Sequence, residues 1–299
     1  MPNPSEFLLT RRRLLAALAL SPVLFNLPPA FAALPDNQRI IALEWLSIEL
    51  LMALGITPMA VADRPNYQIW VNEPKLPDSV IDVGLRTEPN LEFMAQLKPS
   101  LIVYSAGYGP SEEKIKRIAP GLGFPFNDAS GKPLDVARRS LTELGDALGM
   151  QQAAKHHLSE FDAYIESMKP RFANRGSRPL LVMGFLDSRH VLVVGKHSLF
   201  QQVMDQLGLK NAWQGETNFW GTAIVGIERL AEIKGADVLC MQHNNRAMID
   251  QATSTPLWRS MPFIREDRFQ RIPAAWLYGA TLSAMHFTRV LDDALGGKA

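Results

Sequence analysis

The sequence predicts an α/β protein of two lobes, each a mainly parallel, helix-covered sheet, joined by one long bridging α-helix. Three observations carry this. Strand-like apolar runs alternate with helical patterns, the arrangement of parallel sheets covered by helices. A helix–turn–strand pattern occurs twice, 136 residues apart. Between the copies lies a long stretch of helical periodicity, with no Gly/Ser-rich or Pro-rich linker.

The chain opens with a segment that reads as an export signal over residues 1–32. Arg11, Arg12 and Arg13 precede an apolar run from Leu14 to Phe25. Pro28 and Pro29 follow, and Ala30-Phe31-Ala32 offers small residues for cleavage after Ala32. The run is interrupted by Pro22 and is shorter than the ~20 apolar residues of a membrane span. Thr10 to Leu15 also resembles a twin-arginine signal, so the twin-arginine and general routes both stay open. Losing this segment removes three arginines and one glutamate, which takes the formal charge from +1 to −1.

The first strand is Arg39-Ile40-Ile41-Ala42-Leu43, and a helix from Ser47 to Leu54 stops at Gly55. Met59 to Ala62 reads as the next strand. The first repeat copy runs from Leu91 to Val103, and the second from Ile227 to Leu239. Glu, Ala, Lys and the apolar positions match between them. Helical spacing covers Leu134 to Leu148, breaks at Gly149, and resumes from Gln151 to Met168, ending before Pro170. The second half restarts at the strand Pro179 to Phe185, followed by Val191 to Val194 and a helix that Ser198 caps. A helix from Leu282 to Leu295 closes the chain. The divisions are then the signal (1–32), an N-terminal lobe (33–143), the bridging helix (144–168) and a C-terminal lobe (169–299).

Composition narrows the function. A chain of 299 residues is long enough for two compact units. Its near-neutral charge offers no basic stripe to nucleic acid. The single cysteine, Cys240, leaves no internal disulfide and reads as a small core residue of a strand. Catalytic signatures are missing: there is no Gly-x-Ser-x-Gly, no His-Glu-x-x-His and no phosphate-binding loop. The six histidines are scattered, and adjacent His156 and His157 point different ways on a helix, which makes a poor metal clamp. No protein-held metal or cofactor is expected.

Aromatic residues in loops at strand ends suggest a ligand cleft instead. Trp45 follows the first strand, Trp70 lies in a polar segment, and Tyr108 follows the first repeat. Trp220 lies in Thr217 to Thr222, and Trp276 and Tyr278 sit in Ala275 to Ala280. An aromatic wall with a few polar groups suits a small-molecule site. Arg86 is the polar candidate, because its fork of donors suits clustered anionic oxygens. The alternative is a surface ion pair with Glu88 or Asp82. Glu112 and Glu113 open a helix, where their charge favours the helix dipole. They are also candidates for pairing with arginines of a membrane partner, with Asp250 near the equivalent place in the second lobe.

These stretches together resemble the ferric hydroxamate (ferrichrome-type) binding proteins of bacterial ABC import. The likeness runs the whole chain. Its specific segments are Ala42 to Leu46, Asp78 to Glu92, Ser105 to Ser111, Asn211 to Gly221 and Tyr278 to Phe287. The resemblance implies a class III periplasmic binding protein fold with a shallow cleft. It implies that Arg86 and Tyr108 hydrogen-bond the hydroxamate oxygens around Fe(III). The organic backbone would be lined by Trp45, Trp70, Leu192, Asn218, Trp220, Trp276 and Tyr278. The siderophore, not the protein, would hold the iron. A periplasmic monomer serving an inner-membrane ABC permease is implied, and not an enzyme. Leu277 stands where a third aromatic is expected. Vitamin B12 or haem on the same fold is the nearest alternative. An exported hydrolase using Ser105 or Ser111 is a distant one.

Overall fold

The computed structural model describes residues 34–71, 73–173, 178–243 and 245–296. The export segment read over residues 1–32 lies outside the described residues. Among those described, no helix is long and apolar enough to cross a membrane.

The first sheet comprises β1 (Ile40–Ala42), β2 (Ala60–Val61), β3 (Ile81–Asp82), β4 (Leu101–Ser105) and β5 (Gly121–Phe124), in the order β3-β2-β1-β4-β5. All its pairings are parallel. Helices α1 (Trp45–Ala53), α2 (Arg64–Trp70), α3 (Leu91–Gln96) and α4 (Glu112–Lys116) make the crossovers. Strand alternation splits the burial between two faces. Ile40 and Ala42 pack with Leu46 and Leu50 of α1, while Ile41 packs with Ile102, Met94 and Ile115 on the other side. Such two-sided burial is why these strands read as unbroken apolar runs.

The second sheet comprises β6 (Leu180–Phe185), β7 (His190–Val194), β8 (Thr222–Gly226), β9 (Asp237–Gln242) and β10 (Phe269–Pro273), in the order β10-β9-β6-β7-β8. Strands β10, β9 and β6 are parallel, and β7 and β8 continue the sheet antiparallel. The sequence repeat has a structural meaning. Its copies become α3–β4 and the 3₁₀ turn Ile227–Glu232 followed by β9. Both strands lie second from one edge, between the edge strand and the sheet's first strand. Cys240 of β9 is fully buried, and burial pushes its thiol up to about 12, far from a reactive thiolate.

Between the sheets run α5 (Pro133–Ala147) and α6 (Gln151–Ala173), separated by a turn with Gly149 at φ +69°. Residues 144–168 are therefore the end of α5, a short break and most of α6, not one continuous helix. The expected stop at Pro170 does not occur either, because α6 runs through it to Ala173. Proline forfeits one intrahelical hydrogen bond. With one turn remaining, burial of Met168 and Phe172 in the second core outweighs that loss. At its other end Ala154 belongs to the first core. Thus α6, about 35 Å long at 1.5 Å per residue, is rooted in both sheets. The chain ends in α11 (Thr281–Leu295), after α7 (Leu199–Gln206), α8 (Arg246–Thr253), α9 (Pro256–Arg259) and α10 (Pro262–Arg265).

Candidate ligand cleft

Arg86 occupies the loop between β3 and α3. Its guanidinium carbon lies 3.5 Å from the centroid of the Trp45 ring. Nη1 donates to Oε1 of Glu44 at 2.9 Å, and Nε lies 3.6 Å from Oδ2 of Asp63. Neither Glu88 nor Asp82 pairs with it. The Asp82 carboxylate instead accepts from the Gly84 N–H. Parallel pairing sets the carboxyl end of β1 near the loop after β3, so the true partner is 42 residues away. Glu44 is itself fixed: Oε2 accepts from the Leu46 N–H at 2.7 Å, capping α1, and from the Ser105 hydroxyl at 2.9 Å.

Tyr108 follows β4, with its ring centroid 5.5 Å from the Arg86 guanidinium. The next residue, Gly109, has φ +80°, and a Cβ there would stand 2.7 Å from the Arg86 carbonyl oxygen. Only glycine tolerates both the conformation and the approach, so the Tyr108 loop rests directly on the Arg86 loop.

The facing wall comes from the second sheet. Trp276 and Tyr278 lie between β10 and α11, and Trp220 in the turn before β8. Trp276 meets Trp45 edge-on at 4.6 Å and Tyr278 at 5.2 Å. Phe126, just after β5, stacks on Trp220 at 5.4 Å and meets Tyr278 edge-on. Asn127 ties the two sides by donating to the Phe219 carbonyl at 2.9 Å. Burial pushes the Tyr278 phenol above its usual range, with a Thr222 hydrogen bond opposing. Together these residues enclose a cavity of about 300 Å³.

Glu49 on α1 holds the Trp276–Tyr278 loop from behind. Its wholly buried carboxylate accepts from the Ala280 and Ser283 N–H groups, both at 2.9 Å, and from the Ser283 hydroxyl. One element thus caps another at the far end of the chain, satisfying helix-terminal donors. Burial pushes this carboxyl up to about 7 despite its hydrogen bonds.

Of the residues singled out in the sequence, Arg86, Tyr108, Trp220, Trp276 and Tyr278 meet in the cavity wall. Trp45 lies beneath Arg86, buried to 1% exposure. Trp70 stacks on His243 at 4.2 Å, outside the wall. Leu192, on β7, packs against the second core. Asn218 turns its Oδ1 inward to accept from the Trp220 N–H, the Thr222 N–H and the Thr222 hydroxyl. The wall also includes Glu44, Ser105, Phe126, Asn127 and Phe219. Phe126-Asn127, an aromatic–polar pair closing a strand, was a legible signal; Glu44 had none beyond standing next to Trp45. The Ser105 hydroxyl is committed to Glu44, and among the described residues no histidine lines the cavity.

The proposed docking carboxylates are on the surface. Glu112 pairs with Lys116 and Glu113 with Arg117 on α4, and Asp250 pairs with Arg271. Among the described residues no His, Cys, Asp and Glu side chains gather as a metal site.

A family model described as periplasmic binding protein matches residues 40–275. The iron(3+)-hydroxamate-binding protein FhuD of Escherichia coli (strain K12) is 60% identical, covering 98% of each chain. The Fe(3+)-citrate-binding protein YfmC of Bacillus subtilis (strain 168) is 27% identical over 76% of this chain and 70% of its own. Among solved structures, the siderophore-binding protein FhuD of Vibrio cholerae with Fe3+–Desferal bound superposes with a TM-score of 0.79. It is 28% identical, covering 87% of this chain and 98% of that one.

Proposed function

The chain belongs to the periplasmic binding protein family, and from that premise we propose that its cleft captures ferric hydroxamate siderophores of ferrichrome type for ABC import. It is a solute-binding protein and not an enzyme. The siderophore is its ligand, and the iron travels inside that chelate.

One observation carries the reading: Arg86 and Tyr108 meet Trp220, Trp276 and Tyr278 around a single cavity. A ferric hydroxamate presents a rim of metal-bound oxygens and an organic backbone. Arg86 and Tyr108 donate hydrogen bonds to that rim. The rings bury the backbone, at roughly 25 cal/mol per Å2 of apolar surface removed from water. Trp45 and Asn218 act beneath the surface, the first under Arg86 and the second behind Trp220. Because α6 is rooted in both cores, closure on the ligand is modest.

The lobes divide at α6, with the first sheet on one side and the second on the other. Residues 1–32 direct export and are removed after Ala32, leaving a periplasmic monomer. Glu112, Glu113 and Asp250 offer carboxylates to arginines of the inner-membrane permease.

The test is a tryptophan-fluorescence titration of the chain from Ala33 onward with ferrichrome, ferrioxamine B and cobalamin. Saturable quenching by both hydroxamates is expected. Response to cobalamin alone would overturn the assignment.

A further inference from the structure

The loop that carries Trp276 and Tyr278 is tied at both ends to carboxylates from the first sheet's side. Its far end is the Glu49 clamp on Ala280 and Ser283. Its near end is Ala274, whose carbonyl oxygen lies 3.0 Å from Nε2 of His286 on α11. The same ring turns Nδ1 to Oε2 of Glu73, also at 3.0 Å. Glu73 follows α2 and stands 213 residues before His286 in the chain. At the end of α2, Trp70 meets His243 beyond β9. This stretch therefore grips the second sheet's elements at two points.

Two acceptors face one imidazole. A neutral ring has a single N–H, so it donates to Ala274 or to Glu73 but not to both. An imidazolium donates to both. Nη2 of Arg289 lies 3.3 Å from Nδ1 and also bonds Oε2 of Glu73. When the ring is neutral and keeps Ala274, Nδ1 becomes an acceptor for Arg289, and Glu73 is left to Arg289 alone. The cluster thus has two arrangements: charged, the ring links Glu73 to Ala274; neutral, it does not. A plain ion pair between Glu73 and Arg289 would need no histidine between them.

The other charges in this groove are engaged elsewhere. Arg271 pairs with Asp250, and Asp292 pairs with Arg171. The Tyr164 hydroxyl donates to the Met285 carbonyl. Asp293 is the remaining carboxylate of the groove. The consequence for the cleft is direct, because Ala274 stands two residues before Trp276, whose ring must meet Trp45 at 4.6 Å to close the wall.

We propose that Glu73 and His286 are positioning residues of the cleft: the charged ring draws Ala274 toward Glu73 and sets Trp276 against Trp45, and the neutral ring releases that hold. Affinity therefore falls as pH rises. This rests on the ferric-chelate reading above.

The experiment titrates the unaltered chain, Glu73→Gln and His286→Gln with ferrichrome between about pH 5 and 8, where histidine changes charge, following tryptophan fluorescence. Ferrichrome carries no group that titrates there. Glu49, pushed up to about 7 by burial, is present in all three proteins, so the ratio of parent to variant affinity isolates the Glu73–His286 link. That ratio is expected to be about threefold or more at the acid end and to approach one at the alkaline end. A purely structural pair would shift affinity equally at every pH. The Glu73 side chain is 41% exposed, so Glu73→Gln keeps the test open even where His286→Gln fails to fold. A parent-to-Glu73→Gln ratio that stays constant across the range would overturn this inference alone. Failure of the unaltered chain to bind ferrichrome at any pH would overturn it together with the proposed function.

Discussion

The Arg86 guanidinium lies over the buried Trp45 ring at 3.5 Å, so a group that lines the cavity is positioned by a ring set beneath the wall. The ring supports it from below, and Glu44 and Asp63 hold its edges. Such contacts restrict a long side chain before binding and lower the ordering cost of the complex.

Arg86→Ala is expected to weaken ferric hydroxamate binding by about tenfold or more, the size of a lost charge-assisted hydrogen bond. Arg86→Lys keeps the charge but loses the planar stack and the fork, so its affinity should fall between the two. Calorimetry with ferrichrome measures both. Parent-like affinity in Arg86→Ala would remove that residue from the site.

Gly109→Ala addresses the contact between the two loops. An alanine there must hold φ +80° and meet the Arg86 carbonyl oxygen at 2.7 Å. The strain is expected to cost about 1–3 kcal/mol of stability. It should also weaken binding, because relief displaces Tyr108. Denaturant unfolding beside a siderophore titration separates the effects. Full affinity in a destabilised variant would show that the position of Tyr108 is unimportant.

How far the sequence foretold this site depends on the distance over which each contact acts. Patterns local to one element were readable: two-sided burial marked β1 and β4, and the 136-residue repeat marked equivalent places in two sheets. Partners brought together by topology were not. Nothing near Arg86 points to Glu44, and its neighbours Asp82 and Glu88 offered a plausible but wrong pairing. Weak elements were also missed. Helix α2 hid in a polar segment, and β10 carries Arg271 and Pro273 on an edge. Among the aromatics, the sequence marks loops but not which ring lines a wall. Trp45 and Trp220 look alike in the chain, yet one is buried at 1% exposure and the other is 37% exposed.

Asn218→Ala tests a residue that acts through another. The change leaves the Trp220 ring intact but frees its turn, since three donors lose the Asn218 oxygen. Ordering one large side chain costs about 0.5–1.5 kcal/mol, so affinity should fall roughly three- to tenfold. Trp220→Ala should lose more, because ring area goes as well. Equal affinity in Asn218→Ala and the parent chain would show that the turn needs no such brace.

Two buried groups give the fold opposing responses to pH. Burial pushes the Glu49 carboxyl up to about 7 and the His243 imidazole down to about 4. The folded chain thus keeps a proton on Glu49 and none on His243 across mildly acidic pH, while the unfolded chain does the reverse. Stability follows the difference in bound protons. Glu49 alone makes stability fall as pH rises from about 4.5 through 7. His243 alone makes it fall as pH drops from about 6.5 through 4. Between about pH 4.5 and 6.5 the proton counts match and the slopes cancel. Glu49→Gln should therefore leave a fold that strengthens by roughly 2–3 kcal/mol as pH climbs through that window. His243→Phe, which keeps a ring against Trp70, should leave one that weakens by a similar amount. Denaturant midpoints between pH 4.5 and 7.5 check this. Variants that both follow the parent's profile would show that neither group changes its protonation on folding.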